Sequence, residues 1–199
     1  MALPRWLTKK ARVPAGQHVV AMFPVLHVGP VPPFDPATWA FNVFGLVQEE
    51  KVWTYEALTS GALFPISTVK ADFHCVTSWS KLDNVWGGIR FVDLLEHIDV
   101  SPKAHYVMAH CEYGYTTNLP LADLKQPQTL LAWQHNGVDL DPDHGYPLRL
   151  VVPHLYGWKS AKWLRGLEFM ATNEPGYWEQ RGYHVYGDPW RQQRYSWDC

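Results

Sequence analysis

The chain has 199 residues, of which 47% are hydrophobic, enough for one ordinary domain with a substantial core. With a net charge of −2 and 18% charged residues, it lacks the basic surface that binds nucleic acid. No apolar run approaches the roughly 18 residues of a membrane span, and no apolar segment follows the N-terminal charges as in a secretory signal. The cysteines at positions 75, 111 and 199 form no CxxC pair, and free thiols predict a cytoplasmic protein.

Residues 1–36 are predicted to form an irregular arm within a single domain that spans residues 1–199. Four prolines fall within residues 29–36, and proline is not accepted in the interior of a helix or in a central strand. The arm also carries large apolar residues, including Phe23 and Phe34. We therefore expect it to wrap around the body of the domain.

Period-two alternation predicts a first strand over residues 39–47. Thr54 is then the expected N-cap of a short helix. Residues 66–73 predict the strand that leads to Cys75. The clearest helix starts at Phe91, since apolar residues at 91, 94, 95 and 98 fall on one face.

Further strands are predicted over residues 104–109, 129–135, 148–152 and 162–171, with at most a helical turn at 121–124. Asn136-Gly137 is a strong hairpin signal. Many short strands with few helices predict the α+β class, with mixed or mainly antiparallel sheets. The chain contains neither a glycine-rich nucleotide fingerprint nor an internal repeat.

The stretch around Cys75, residues 71–80, carries the first functional signal. It places a thiol at the exit of a strand, beside polar and aromatic residues, where loops often carry chemistry on a rigid scaffold. This pattern predicts a thiolate ligand to a metal cofactor. The alternative is a small buried hydrophobe, which is common for free cysteine. The adjacent His74 is expected to face the other side of the strand.

A basic stretch carries the second signal. No acidic residue occurs between Asp143 and Glu168, whereas lysine and arginine occupy positions 149, 159, 162 and 165, interleaved with glycine, serine and tryptophan. These residue types bind small anions such as phosphate. The alternative is a solvated charged edge beside a strand. His144, five residues before Arg149, is a candidate for the same anion site.

The two stretches together resemble the sulfite oxidase superfamily. Residues 72–80, followed by Trp86-Gly87-Gly88, are similar to its molybdenum-ligating segment. Residues 146–153 and 156–163 look like its pterin-phosphate segment. The ending, residues 175–184, is similar to that of short bacterial members that consist of the molybdopterin-binding domain alone. The resemblance implies the sulfite-oxidase-type fold for this chain.

The resemblance also implies a cofactor site. Cys75 would be the catalytic residue and the thiolate ligand of molybdenum, with one molybdopterin supplying the other sulfurs. Residue 27 falls near the family's N-terminal cofactor loop. Residue 111 falls near a further pterin contact of the family, for which His110 is the alternative. The residues that match cofactor-binding positions are His27, Cys111, His144, Arg149, Ser160, Ala161 and Lys162.

The implied activity is oxygen-atom transfer to or from a small sulfur- or nitrogen-centred substrate, in a cycle between Mo(VI) and Mo(IV). A separate electron carrier is expected as partner, because the chain has no haem, flavin or iron–sulfur motif. Substrate arginines of animal and plant sulfite oxidases are not evident, since Leu26 replaces one and the loop 113–118 lacks another. A non-catalytic molybdopterin-binding or electron-transfer subunit therefore remains an alternative, as does a hydrolase with Cys75 or Cys111 as nucleophile.

Overall fold

The structure, a computed structural model, describes residues 12–199. The start of the predicted arm, residues 1–11, lies outside the described residues. The rest of the arm is irregular except for one short strand, β1 (His18–Val19), which pairs in parallel with the long strand β5 (Trp79–Arg90). No helix in residues 12–199 is long and apolar enough to cross a membrane.

Two sheets form the body of the protein, and in both most neighbours are antiparallel. The first sheet is built on β5, which pairs with β4 and β8. Its strands are β1, β4 (Ser67–His74), β5 (Trp79–Arg90), β8 (Leu130–His135), β9 (Val138–Asp139) and β10 (Arg149–Val151). The second sheet has the order β3-β2-β11-β6-β7. Its strands are β2 (Ala40–Gly45), β3 (Lys51–Thr54), β6 (Tyr106–Cys111), β7 (Thr116–Pro120) and β11 (Leu164–Met170).

Three short helices complete the regular structure: α1 (Tyr55–Thr59), α2 (Phe91–Leu95) and α3 (Leu121–Leu124). Thr54 caps α1 as predicted, because its hydroxyl accepts a hydrogen bond from the Ala57 N–H at 3.2 Å. The prediction that α2 continues to Ile98 is wrong. The N–H groups of residues 97 and 98 bond three residues back, to Leu94 and Leu95, so the last turn tightens and the helix ends.

Apolar side chains form two buried clusters. The larger one contains residues of both sheets and of the three helices. The smaller one contains the aromatic residues Phe73, Trp79 and Trp86, and Phe23 of the arm packs against it together with Cys75. The described part of the arm brings the apolar residue Phe23 to the strand end that carries Cys75. The observed architecture confirms the α+β class with mixed sheets.

Candidate active site

A cavity of about 330 Å³ opens beside Cys75. Its walls come from separate parts of the chain: the arm, the turn after β4, the start of β10, the segment 157–163 and the C-terminal region. Among the residues predicted from the sequence, six line this cavity: His27, Cys75, Arg149, Ser160, Ala161 and Lys162. The fold therefore brings both functional stretches of the sequence to one place.

The turn between β4 and β5 fixes Cys75. Its N–H donates to the Trp79 carbonyl at 2.9 Å, and its carbonyl accepts from the Ser78 N–H at 3.1 Å. Ser78 has φ 72, a left-handed conformation that the tight turn requires. The Gln17 side chain of the arm also donates to the Cys75 carbonyl, at 3.1 Å. The backbone is thus held on both sides, while the thiol is free and only partly buried.

The Cys75 sulfur has one protein hydrogen bond, from the Thr77 hydroxyl at 3.2 Å. Such a bond orients a sulfur ligand and moderates its electron donation to a metal. The neighbouring His74 is only 3% exposed and faces away from the cavity, as predicted. The His74 Nδ1 lies 2.8 Å from the Ser80 hydroxyl, so this hydrogen bond links the two strands on either side of the turn.

Arg149 is the most deeply buried cation on the cavity wall, with 1% of its surface exposed. Its guanidinium donates to the carbonyl oxygens of His144 at 2.8 Å and Ser160 at 3.0 Å, but its Nε has no partner. Within residues 12–199 no carboxylate forms a salt bridge with it. Burial lowers its pKa to about 9. A buried cation without a counter-ion is the feature expected where an anionic ligand binds.

Lys162 lies on the same wall. Its ammonium donates to the carbonyl oxygens of Leu26 at 3.0 Å and Asp143 at 2.5 Å. Burial lowers its pKa to about 7, and the charge of Arg149 adds to the shift. The bond to Leu26 also ties the arm to the far side of the cavity. Lys162 thus lies at the cavity wall with a lowered pKa, so its positive charge is easily lost unless an anion binds nearby.

The other two cations of the basic stretch do not serve this cavity. Lys159 is 1% exposed and forms a buried salt bridge of 2.6 Å with Glu179. Arg165 lies 3.5 Å from Glu112. The predicted anion site therefore contains Arg149 and Lys162, and carboxylates from distant parts of the chain neutralise the rest of the stretch.

His144 does not line the cavity but lies next to it. Its ring stacks on Phe23 with centroids 4.6 Å apart, and its buried Nδ1 has no partner. Burial, together with the charges of Lys162 and Arg149, lowers its pKa to about 4, so the ring is neutral at neutral pH. His144 is therefore placed to hydrogen-bond a ligand without adding charge.

The remaining predicted residues differ in their position. The Ser160 hydroxyl accepts from the Val152 N–H at 2.9 Å, and His27 Nδ1 lies 2.9 Å from the Gly29 carbonyl. Ala161 is buried and presents a small methyl group to the cavity. Cys111 does not reach the cavity, since it ends β6 in the larger apolar cluster. Burial raises the pKa of its thiol, which makes it unsuited as a nucleophile.

Aromatic residues of the C-terminal region complete the wall, and the sequence reasoning missed them. Tyr183 stacks on Trp178 with centroids 4.8 Å apart. Burial raises the pKa of Tyr183, and the nearby Tyr195 and Cys75 raise it further. The hydroxyl of Tyr115 donates to the Trp158 carbonyl at 2.7 Å. The available signal was the aromatic run of residues 177–183, which the sequence analysis used only as a feature of the ending.

The donor set of the cavity fits molybdopterin. Around Phe23, four buried polar atoms have no partner within residues 12–199. Nε of Arg149 and the indole Nε1 of Trp79 belong to residues of the cavity wall, whereas Nδ1 of His144 and Nε1 of Trp86 belong to neighbouring residues that do not line it. A flat pterin ring with a phosphate offers acceptors, negative charge and a surface for aromatic contact. Cys75 adds a thiol, a soft ligand suited to a metal held by sulfur.

Comparison with known proteins gives the family. Residues 28–178 match the family described as oxidoreductase molybdopterin binding domain. The uncharacterized oxidoreductase YuiH of Bacillus subtilis (strain 168) is 51% identical over 191 residues, which cover 96% of this chain and 95% of the relative. A putative protein-methionine-sulfoxide reductase subunit, YedZ1, of Azospira oryzae is 32% identical over 77% of this chain. Sulfite oxidase of Arabidopsis thaliana is 27% identical over 79% of this chain.

The last two relatives are longer proteins, of which the chain spans 57% and 49%. The crystal structure of the sulfane dehydrogenase SoxCD from Paracoccus pantotrophus has the same fold, with a TM-score of 0.64 at 21% identity over 86% of this chain and 54% of that chain. These matches confirm the resemblance to the sulfite oxidase superfamily and the predicted cofactor. The chain belongs to the oxidoreductase molybdopterin-binding domain family, and its cofactor is molybdopterin.

Proposed function

We propose that the protein is an enzyme that transfers an oxygen atom to or from a small substrate with a sulfur or nitrogen centre. The observation that carries the proposal is the single cavity that joins the Cys75 thiol to two cations, the buried Arg149 and the half-buried Lys162. When bound, molybdopterin supplies a molybdenum centre that exchanges two electrons between Mo(VI) and Mo(IV). The protein's own task is to hold the cofactor, admit the substrate and manage protons.

Cys75 is the proposed thiolate ligand of molybdenum. Its position at a turn with both backbone hydrogen-bonding groups engaged keeps the sulfur at the cavity wall. The Thr77 hydroxyl, 3.2 Å from the sulfur, fixes its direction. A soft thiolate held in this way tunes the metal and leaves space beside it for a substrate.

Arg149 and Lys162 are the proposed partners of the cofactor phosphate. A phosphate carries about −1.5 to −2 charge at neutral pH and offers three strong acceptor oxygens. It would supply the missing counter-ion of Arg149 and an acceptor for its unpaired Nε. Ser160, Ala161 and His144 surround the same cations and would complete the contacts to the cofactor.

Tyr183 is the proposed proton-holding group. Oxygen-atom transfer exchanges water with the substrate, so two protons must enter or leave. The hydroxyl of Tyr115 is bound to the Trp158 carbonyl, which leaves Tyr183 as the phenol of the cavity that can give or take a proton. Its raised pKa keeps it protonated at neutral pH.

Elemental analysis of the purified protein, with release and identification of the pterin, tests the cofactor. Turnover of sulfite, S-oxides and N-oxides with artificial one-electron carriers tests the activity. Cys75→Ser is expected to abolish turnover while the fold is retained, and Cys199→Ser, which changes an exposed free thiol, is the matched control. A Cys75→Ser protein with full molybdenum content and unchanged turnover would refute the assignment.

Bound cofactor without turnover of any of these compounds would instead favour the alternative of a non-catalytic binding or electron-transfer subunit. The separate electron carrier and the cytoplasmic location remain predictions. Carrier specificity can be measured with the same preparation once a substrate is found.

A further inference from the structure

We propose that the substrate of this site is uncharged. It would be an S-oxide or N-oxide with apolar substituents, or the corresponding parent compound, and not an oxyanion such as sulfite or nitrate. The inference rests on the proposed function. In the reaction, the oxide takes up two electrons and two protons and yields the parent compound and one water, or the reverse occurs. The electrons are exchanged one at a time with an electron-carrier protein.

The positive charges on the cavity wall are matched by the cofactor phosphate and by a carboxylate of the protein. In the described part of the chain, the lining contains one arginine and one lysine, Arg149 and Lys162. The doubly charged phosphate of the cofactor matches both of them. His27 also lines the cavity, but its Nε2 lies 3.7 Å from the Asp143 carboxylate. No unmatched positive charge in residues 12–199 is therefore left on this wall for a substrate anion.

Two arginines near the Cys75 turn, Arg12 and Arg194, do not line the cavity. Arg12 forms salt bridges with the carboxylates of Asp72 and Asp83. Arg194 reaches the Cys75 turn only from outside, where it donates to the Val76 carbonyl and packs over the Tyr156 ring. Beyond the two cations assigned to the phosphate, no lysine or arginine in residues 12–199 lines the cavity, so the wall offers no further charge to replace the hydration of an oxyanion.

The walls beside Cys75 suit an apolar substituent instead. Val76 follows Cys75 directly, and Trp79 closes the same turn with its ring stacked on Phe73 at 5.9 Å. Across the cavity lie the stacked rings of Tyr183 and Trp178. Flat aromatic walls gain by contact with alkyl or aryl groups. The phenol of Tyr183 can hydrogen-bond the one polar atom of such a substrate, its oxide oxygen.

A pair of inert ligands tests the charge preference without turnover. Methyl phenyl sulfone and benzenesulfonate have nearly the same shape and differ by one negative charge. Calorimetric titration of the cofactor-loaded protein is expected to show tighter binding of the sulfone by about tenfold or more. Equal affinity, tighter binding of the sulfonate, or no binding of the sulfone at millimolar concentration would overturn the inference.

The cofactor-free protein is the internal control. There Arg149 and Lys162 have no phosphate, so benzenesulfonate is expected to bind and the order of affinities to reverse. If the sulfonate binds equally well before and after cofactor loading, then Arg149 and Lys162 are not occupied by the phosphate, and the argument fails at that step.

A variant of the wall provides a second, independent test. Val76→Arg places a cation beside Cys75, whereas Val76→Met adds similar length without charge. The arginine variant is expected to shift the affinity ratio toward benzenesulfonate by about tenfold relative to the methionine variant. Molybdenum content per chain verifies that both variants are loaded. The same ratio in both variants would contradict an uncharged substrate site beside Cys75.

Turnover separates this inference from the proposed function. Reduction of methyl phenyl sulfoxide and of nitrate is compared with reduced methyl viologen as electron donor, and oxidation of sulfite is measured with an artificial acceptor. A higher kcat/KM for the sulfoxide is expected. Preference for sulfite or nitrate overturns the inference alone, whereas no turnover of any substrate by fully loaded protein overturns the proposed function.

Discussion

Replacement of Arg149 by methionine is expected to improve the stability of the cofactor-free protein while it weakens cofactor binding. The guanidinium is 1% exposed and has no carboxylate partner among the described residues. Burial lowers its pKa from 12.5 to about 9, which corresponds to about 5 kcal/mol by which the folded protein disfavours the charge. Methionine has a similar length and no charge. Such a replacement of a buried charge is often neutral or stabilising by about 1–4 kcal/mol.

Cofactor binding should respond in the opposite direction. Each hydrogen bond from a charged group to the phosphate contributes about 1.5–3 kcal/mol, so its loss lowers affinity by about 10- to 100-fold. Arg149 has one unpaired donor, Nε, and two nitrogens that bind carbonyl oxygens. Loss of the contact through Nε alone would therefore reach this range. A substitution that stabilises the cofactor-free protein and weakens cofactor binding identifies a residue whose role is to bind the ligand.

The assay compares two preparations. Thermal unfolding of cofactor-free protein measures stability, and molybdenum and pterin per chain in protein from a cofactor-producing host measure retention. Lys159→Met is the control, because Lys159 is equally buried but paired with Glu179. Loss of one partner of a buried pair should cost about 3–5 kcal/mol. If Arg149→Met destabilises the cofactor-free protein as strongly as the control and retains its cofactor, the reasoning is refuted.

Further predictions concern Lys162, Glu179 and Cys111. The folded-state pKa of Lys162 is lowered to about 7 from 10.5, so the unfolded chain binds more protons between these values and the cofactor-free protein should gain stability as pH rises through this range. A phosphate raises this pKa again, so phosphate affinity measured by calorimetry should fall above pH 7, and Lys162→Arg should flatten the profile. Glu179→Gln leaves the Lys159 charge without its counter-ion and should lower the free energy of unfolding in urea by about 3 kcal/mol. Cys111→Ala should retain molybdenum and turnover, since this thiol lies in the apolar core away from the cavity; loss of metal with an intact fold would contradict that placement.

Local signals predicted the strands and turns of this fold well. Asn136 and Gly137 adopt positive φ angles of 53° and 84°, as a two-residue hairpin turn between β8 and β9 requires. The strand before Cys75 and the strand at Arg149 also lie where the apolar pattern placed them. Such signals depend on a few residues that are neighbours in the sequence, so they can be recognised without the structure.

The pairing of strands that are distant in the sequence could not be predicted from such local signals. Strand β11 lies parallel to β2 and antiparallel to β6, with partners such as Gly166 opposite Asn42. No periodicity specifies which strands become neighbours. The C-terminal wall of the cavity is a similar case, because Tyr183 reaches Cys75 only through the packing of an irregular segment on the 157–163 loop.

Lys159 and Lys162 show what decides between a ligand contact and a structural role. Lys159 and Lys162 are three residues apart in the same basic stretch, and only the family resemblance singled out Lys162 as a cofactor contact. The 3₁₀ turn Gly157–Lys159 directs Lys159 to the Glu179 carboxylate, the backbone and side-chain oxygens of Asn118, and the Val185 carbonyl. Its three donors are therefore fully used within the fold.

Among the described residues, Lys162 donates only to two neutral carbonyl oxygens, one of them on the arm. A hydrogen bond to a carbonyl is weaker than one between two ionised groups. A phosphate therefore gains by displacing the partners of Lys162, whereas at Lys159 it would have to break a buried ion pair. Since one of the displaced partners is the Leu26 carbonyl, the proposed cofactor binding at Lys162 would also act directly on the arm that lines the cavity.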